Sequence, residues 1–163
     1  MEFFKDHLLA NPQAHIYHYN HYETTALKRM TLKYDVCADI LDFLLRNKVF
    51  VDLYPVVRES IITSEKGLSI KDLEIFYMQD RTALVSSGAD SVDMFLKWKV
   101  KQDPQLLQEI GDYNKEDCQS TQLLRDWLLE IQQEWQQQDN VEDFQYHEQP
   151  EQQPFHNEYD EEY

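Results

Sequence analysis

The sequence predicts an α/β domain in which helices far outnumber strands. Three observations carry that expectation. Residues 14–20, AHIYHYN, alternate with many aromatics and read as a strand, whereas most of the remaining apolar residues recur at helical spacing. The length, 163 residues, suits one domain able to bury a core. Hydrophobic content of 42% with 13% aromatic is globular, although a mean hydropathy of -0.69 requires some stretch to be very polar.

The elements follow in chain order. Residues 2–10 have helical spacing and stop before Asn11-Pro12, a normal helix exit. After the strand, Ala26, Leu27, Met30 and Tyr34 share one helix face, and Asp39, Ile40, Phe43 and Leu44 belong to a second helix. FVDLYPVVRESII, residues 50–62, is apolar but holds Pro55, which suggests a short strand or turn running into a helix. Ser69 is placed to cap a helix of about two turns over IKDLEIFYM. Residues 79–89 read as a loop leading into a helix over SVDMFLKWKV. Asp103-Pro104 opens a helical region that reaches about Trp135, with Gly111 expected to interrupt it. The total is one strand, or two, and about six helices. A lone strand leaves backbone groups unpaired, so a second strand in this chain or an upstream sheet is required.

The very polar stretch is the C-terminus. From Gln136 to Tyr163 there are nine acidic residues, no Lys or Arg, several Gln and two Pro. So little apolar surface cannot offset ordering entropy, and the expected organisation is a domain over residues 1–135 followed by a disordered acidic tail over 136–163. Removing those nine charges from the net of -16 leaves -7 for the domain. That balance argues mildly against sequence-independent binding along a duplex, which usually needs a basic face. It does not exclude a site of clustered carboxylates whose bound cations reverse the local sign.

Cys37 and Cys118 are far apart, lack metal-type spacing and fall in apolar-periodic segments, so buried free thiols are expected. The start, MEFFKDHLLANP, lacks the apolar run of a secretory signal, and no stretch approaches the roughly 20 apolar residues that span a bilayer. A cytoplasmic protein without membrane contact is the expectation.

Three constellations could carry chemistry. In YNKED, residues 113–117, Tyr113 and Asp117 share a helix face four residues apart. An inward Asp beside a Tyr suits a divalent cation and a phenol that orients water, although the spacing alone favours an ordinary surface helix, where a tyrosine four residues before a carboxylate is a common accident. In HIYHYNHYE, residues 15–23, a strand runs into a helix whose first turn holds Glu23. Strand ends of this kind often carry catalytic carboxylates, but a carboxylate there also simply complements the helix dipole. His15, His18 and His21 do not project to one point along a strand, which disfavours zinc. In KWKVK, residues 97–101, Lys97 and Lys99 could touch phosphates while Trp98 stacks a base, or the run is a solvated face with one buried Trp. Asp72 and Glu74 form an Asp-x-Glu pair, but positions two apart diverge on a helix.

Taken in order, YHYNHYETTALKRM, VFVDLYPVVRESI, GLSIKDLE, SGADSVDMFLKW and IGDYNKEDCQSTQLLRDWL resemble the YprB-type ribonuclease H-like domain of predicted RecB-like nucleases, over residues 1 to about 131. The most specific piece is YNKEDCQSTQLLRDWL. The resemblance implies a DEDD-type 3′-5′ exonuclease in which four carboxylates bind two divalent ions, Mg²⁺ or Mn²⁺, for phosphodiester hydrolysis of DNA or RNA. By position, Asp117 is similar to the last acid of that set and Tyr113 to the tyrosine of its Tyr-x-x-x-Asp subtype. Glu23 falls at the second motif's metal ligand, with Glu where many relatives have Asp, and Asn20 matches that motif's asparagine. The first motif, an Asp-x-Glu on the first strand, has no counterpart in residues 1–14. The resemblance therefore implies an incomplete ribonuclease H-like fold lacking its N-terminal strands: a fragment, a split gene product or a degenerate relative, inactive alone. Implied partners are nucleic acid and a complementary N-terminal fragment or helicase-type protein, and the rival function is a non-catalytic, nucleic-acid-binding or interaction remnant.

Overall fold

The computed structural model describes residues 2–78 and 87–137. The tail expected over 136–163 lies outside these residues from position 138 on, and the loop expected over 79–89 lies outside them up to position 86, with Gly88 and Ala89 instead opening a helix. Helix α1 (Glu2–Ala10) ends where expected, and Asn11 satisfies its last turn, its backbone N–H and side-chain amide both donating to the His7 carbonyl. Strand β1 (Ile16–His18) is shorter than the alternation suggested. Its partner is β2 (Phe50–Asp52), parallel, in the register Ile16 to Phe50, Tyr17 to Val51 and His18 to Asp52. The second strand that the lone β1 required is thus the FVD that precedes Pro55.

Parallel strands cannot be joined by a hairpin, and the crossover here is made by α2 (Tyr22–Tyr34) and α3 (Ala38–Arg46). The link between these helices is carried by left-handed backbone at Asp35 (φ 52°) and Cys37 (φ 59°). No glycine is available there, so each residue carries the steric cost of about 1–2 kcal/mol that a Cβ imposes in that conformation. After β2, Asp52 caps α4 (Leu53–Ser60) by accepting from the Tyr54 N–H. Pro55 then falls in the first turn, where its missing N–H has no helical acceptor to serve.

The Ser69 cap is realised as a capping box: the Ser69 hydroxyl accepts from the Asp72 N–H and the Asp72 carboxylate accepts from the Ser69 N–H. The two turns expected after it divide into a single α-turn, α5 (Ile70–Leu73), and a 3-10 turn over Glu74–Phe76. Asp72 is thereby engaged in capping α5. Helix α6 (Gly88–Lys101) starts three residues earlier than expected because Ser87 caps it. Helix α7 (Pro104–Gln137) opens on Asp103, which accepts from the Gln105 N–H, and runs unbroken through Gly111. The expectation of an interruption there is corrected: a glycine costs a helix about 1 kcal/mol but keeps its N–H, and one such loss does not break so long a run.

The two-stranded sheet separates two apolar clusters. Ile16 and Phe50 point to one side, with Leu8 of α1, Ile40 and Leu44 of α3 and Val49. Tyr17, Tyr19 and Val51 point to the other, with Leu53 and Val57 of α4, Leu73 of α5 and Leu124 of α7. The period-two alternation of β1 therefore sorts its side chains between two helical layers. The residues form two units, Met1–Glu130 and Ile131–Tyr163, and both clusters belong to the first. No helix among the described residues is long and apolar enough to cross a membrane.

Candidate active site

The site is built at the carboxyl end of β1, where the chain leaves the sheet. Asn20 adopts left-handed backbone (φ 68°), which turns the chain from β1 into α2. That turn is held from both sides. The Asn20 N–H donates to Asp52 Oδ1 at 2.8 Å, and Asn20 Oδ1 accepts from the His21 N–H at 2.8 Å. Asp52, at the end of β2, thus ties the ends of the two parallel strands together while capping α4. The consequence is that Glu23 stands in the first turn of α2, next to the strand end.

A pocket of about 260 Å³ opens beside this turn. Tyr17 and His18 contribute from β1 and Glu23 from α2; Asp117, Cys118, Thr121, Gln122 and Arg125 contribute from α7. Two of the carboxylates singled out in the sequence, Glu23 and Asp117, are therefore brought to one cavity by elements distant in the chain. Its location outside the carboxyl ends of parallel strands is where α/β folds place ligand crevices, because diverging chains leave a gap there. Glu23 has a half-exposed side chain, at 52%. His18 is buried, at 7%, and its Nδ1 lies 2.6 Å from the Asn20 carbonyl and 3.9 Å from Glu23 Oε2. A carbonyl can only accept, so Nδ1 carries the proton, and in the neutral ring Nε2 is then the lone-pair nitrogen.

The other residues singled out in the sequence sit elsewhere. Tyr113 is buried, at 7%, one helical turn before Asp117, with Lys71 Nζ 5.3 Å from its ring centroid, and it does not line the pocket. Asn20 is exposed and its side-chain oxygen serves the turn. Lys97 and Lys99 lie on α6, away from the pocket lining; Lys97 pairs with Asp93, and Lys99 stands 5.7 Å from the Phe95 ring centroid. Trp98, stacked on Phe95, is half-buried. His15 and His21 are exposed. Both cysteines are free, as expected, but neither is buried: Cys37 is half-buried and Cys118 exposed. Cys118 follows Asp117 on the pocket side of α7, so its apolar neighbours in sequence do not cover it.

Sequence reasoning missed Arg125, His18 and Glu116. Arg125 lies about two helical turns beyond Asp117 and shares its face, a spacing that was available in YNKEDCQSTQLLR. His18 was read only as part of an unconvincing zinc triplet. Glu116 is buried, at 9%, on the same stretch of α7, and no sequence feature distinguishes it from an exposed glutamate.

Glu23 and Asp117 are hard oxygen donors on one cavity, a donor type suited to Mg²⁺ or Mn²⁺. Among the described residues, no group of three or more His, Cys, Asp or Glu side chains is gathered as metal ligands usually are. Two such carboxylates fall short of the full set that fixes an ion pair.

No curated protein and no solved structure matches the chain. A family model described as the RNase H superfamily matches residues 1–129, a span that holds both strands, both clusters and every residue lining the pocket. The match extends over well more than half of the sequence and carries with it the α/β fold and a nuclease-like character directed at nucleic acids: the chain belongs to the RNase H superfamily.

Proposed function

We propose that this domain is part of a metal-dependent nuclease hydrolysing phosphodiester bonds of DNA or RNA, of the DEDD 3′-5′ exonuclease type and its YprB-type, RecB-like branch. The observation that carries the reading is the convergence of Glu23 and Asp117 on one pocket at the ends of parallel strands. In this reading those two carboxylates hold a divalent ion, Mg²⁺ or Mn²⁺. Bound there, such an ion would supply charge stabilisation at phosphoryl oxygens and a more acidic water. Asn20 and Asp52 fix the turn that aims Glu23, and His18 presents a buried polar ring beside it. Tyr113 is the candidate for orienting the attacking water, and Lys97 and Lys99 for contacting the strand outside the pocket.

Two carboxylates leave most positions around an ion to water, and Mg²⁺ gives up its hydration reluctantly. Residues 1–163 alone are therefore proposed to bind the ion weakly and to need further carboxylates for hydrolysis. The test uses labelled single-stranded DNA and RNA with Mg²⁺ or Mn²⁺, with and without an added segment containing Asp-x-Glu. Cleavage that appears only with the segment and is lost in Asp117→Asn supports the reading. Cleavage by the chain alone means that other ligands complete the site, and cleavage in neither case moves the function to the second reading.

That second reading is a non-catalytic interaction module. It is favoured by α2 and α6, which contain no buried residue. Leu32 and Val100 on these helices are 84% and 85% exposed, apolar surface of the kind that partners cover. A complementary nuclease segment or a helicase-type protein is the proposed partner, in an intracellular setting.

A further inference from the structure

Arg125 is the one Lys or Arg side chain lining the pocket among the described residues, and it is held with unusual definition. Its guanidinium carbon lies 5.3 Å from the centroid of the Tyr17 ring, an aromatic of β1 whose position the sheet fixes. Along one edge, Nε donates to Asp126 Oδ1 at 2.8 Å and Nη2 donates to the same oxygen. The side chain is 34% exposed. A guanidinium carries five N–H donors in a planar fork, and Asp126 engages one edge of it. The remaining donors keep a fixed orientation because the ring and the carboxylate both restrain the plane, so little rotamer freedom is lost when an oxyanion docks.

The other charges of the pocket, Glu23 and Asp117, repel an anion. The cavity, at about 260 Å³, is smaller than sites for whole drug-sized ligands and matches a phosphate with its sugar better than paired bases. We propose that Arg125 is the phosphate-binding side chain of this pocket, receiving a phosphodiester of single-stranded nucleic acid beside the Glu23 and Asp117 carboxylates. The inference rests on the reading of the pocket as a nucleic-acid site but not on hydrolysis. The planar fork of Arg125 supplies directed hydrogen bonds as well as charge, and a lysine there replaces only the charge.

The experiment measures binding of a fluorescently labelled single-stranded oligonucleotide by anisotropy, over a salt series, in EDTA and separately in Ca²⁺. Arg125→Gln is expected to weaken binding roughly tenfold or more, the scale of a lost hydrogen bond to a charged group, and to reduce the salt slope by about one. Arg125→Lys recovers only part of the loss. Asp117→Asn, which removes a like charge, raises affinity in EDTA, and Arg125→Gln in that background cancels the gain. Circular dichroism of Arg125→Gln, together with Arg125→Lys, which keeps the aliphatic stem against Tyr17, separates a lost phosphate contact from disturbed packing on Tyr17. Wild-type affinity and salt slope in Arg125→Gln would overturn the assignment. Binding that is indifferent to Arg125 but altered by Glu23→Gln or Asp117→Asn defeats this inference alone. No binding by the wild-type chain in either condition defeats the nucleic-acid reading itself.

Discussion

Tyr19 shows how one side chain couples the strand to the layer beneath it. Its ring meets Tyr54 edge-on at 5.6 Å, and its hydroxyl donates to the Leu68 carbonyl. Burial, followed by the neighbouring Tyr77, Tyr54, Asp52 and Asp72, pushes its pKa from 10.0 up to about 12. Below pH 10 both the folded and the unfolded chain hold this proton, and the interaction contributes in full. Between pH 10 and about 12 the unfolded chain has released it while the folded chain retains it, so stability falls as pH rises through that interval. Urea denaturation at pH 9 and pH 11 is expected to show a smaller loss of stability in Tyr19→Phe than in wild type, at a cost of about 1 kcal/mol at pH 9 for the missing hydrogen bond. Equal losses in both proteins would remove Tyr19 as the source. Tyr113 is tested differently, because its proposed task is chemical. Tyr113→Phe in the completed enzyme should lower kcat with the thermal midpoint and divalent-ion affinity nearly unchanged, and an unaltered kcat would end that role. At this scale Glu23 and Asp117 were legible in the sequence because motif order marked them. Arg125 and His18 were not, since their relevance comes only from the fold bringing β1 against α7.

Among the elements, the helix starts were the most legible, because a cap is written in local sequence. Ser69 and Asp103 accept from backbone N–H groups three and two residues on, as their side chains predict, whereas the Ser87 cap of α6 was not read from the sequence. Ser69→Ala is expected to lower stability by about 1 kcal/mol, the usual value for a lost cap, measured by the shift of the urea midpoint at constant slope. No shift would mean that Asp72 and the packing of Leu73 hold α5 without the cap. Extents were less legible. The strand alternation of residues 14–20 overstates β1, because His15 and Tyr19 have suitable side chains but only Ile16–His18 pair with β2. Pro55 obscured β2 in the same way: it belongs to the first turn of α4, so the strand must end before it, leaving three residues. Gly111 misled in the opposite direction, since the loss of one propensity term is outweighed by the flanking turns of α7.

For the whole molecule, the sheet divides two helical layers, and the β1–crossover–β2 unit sets where the pocket opens. The fold class and the helix-rich balance could be read from hydrophobic period. The strand pairing could not, because a parallel ladder depends on contacts between residues more than thirty positions apart, which leave no local pattern. The same long-range closure brings Glu23 and Asp117 together, and the account stands or falls on their acting as one site.

The most direct measurement is Mn²⁺ binding by electron paramagnetic resonance to the wild-type chain, Glu23→Gln, Asp117→Asn and the double variant, with circular dichroism confirming the fold. If both carboxylates hold the same ion, each single substitution weakens binding and the double variant is little weaker than either, because residues sharing a ligand are not additive. Undiminished Mn²⁺ binding in the single variants, or losses that simply add, would contradict a shared site.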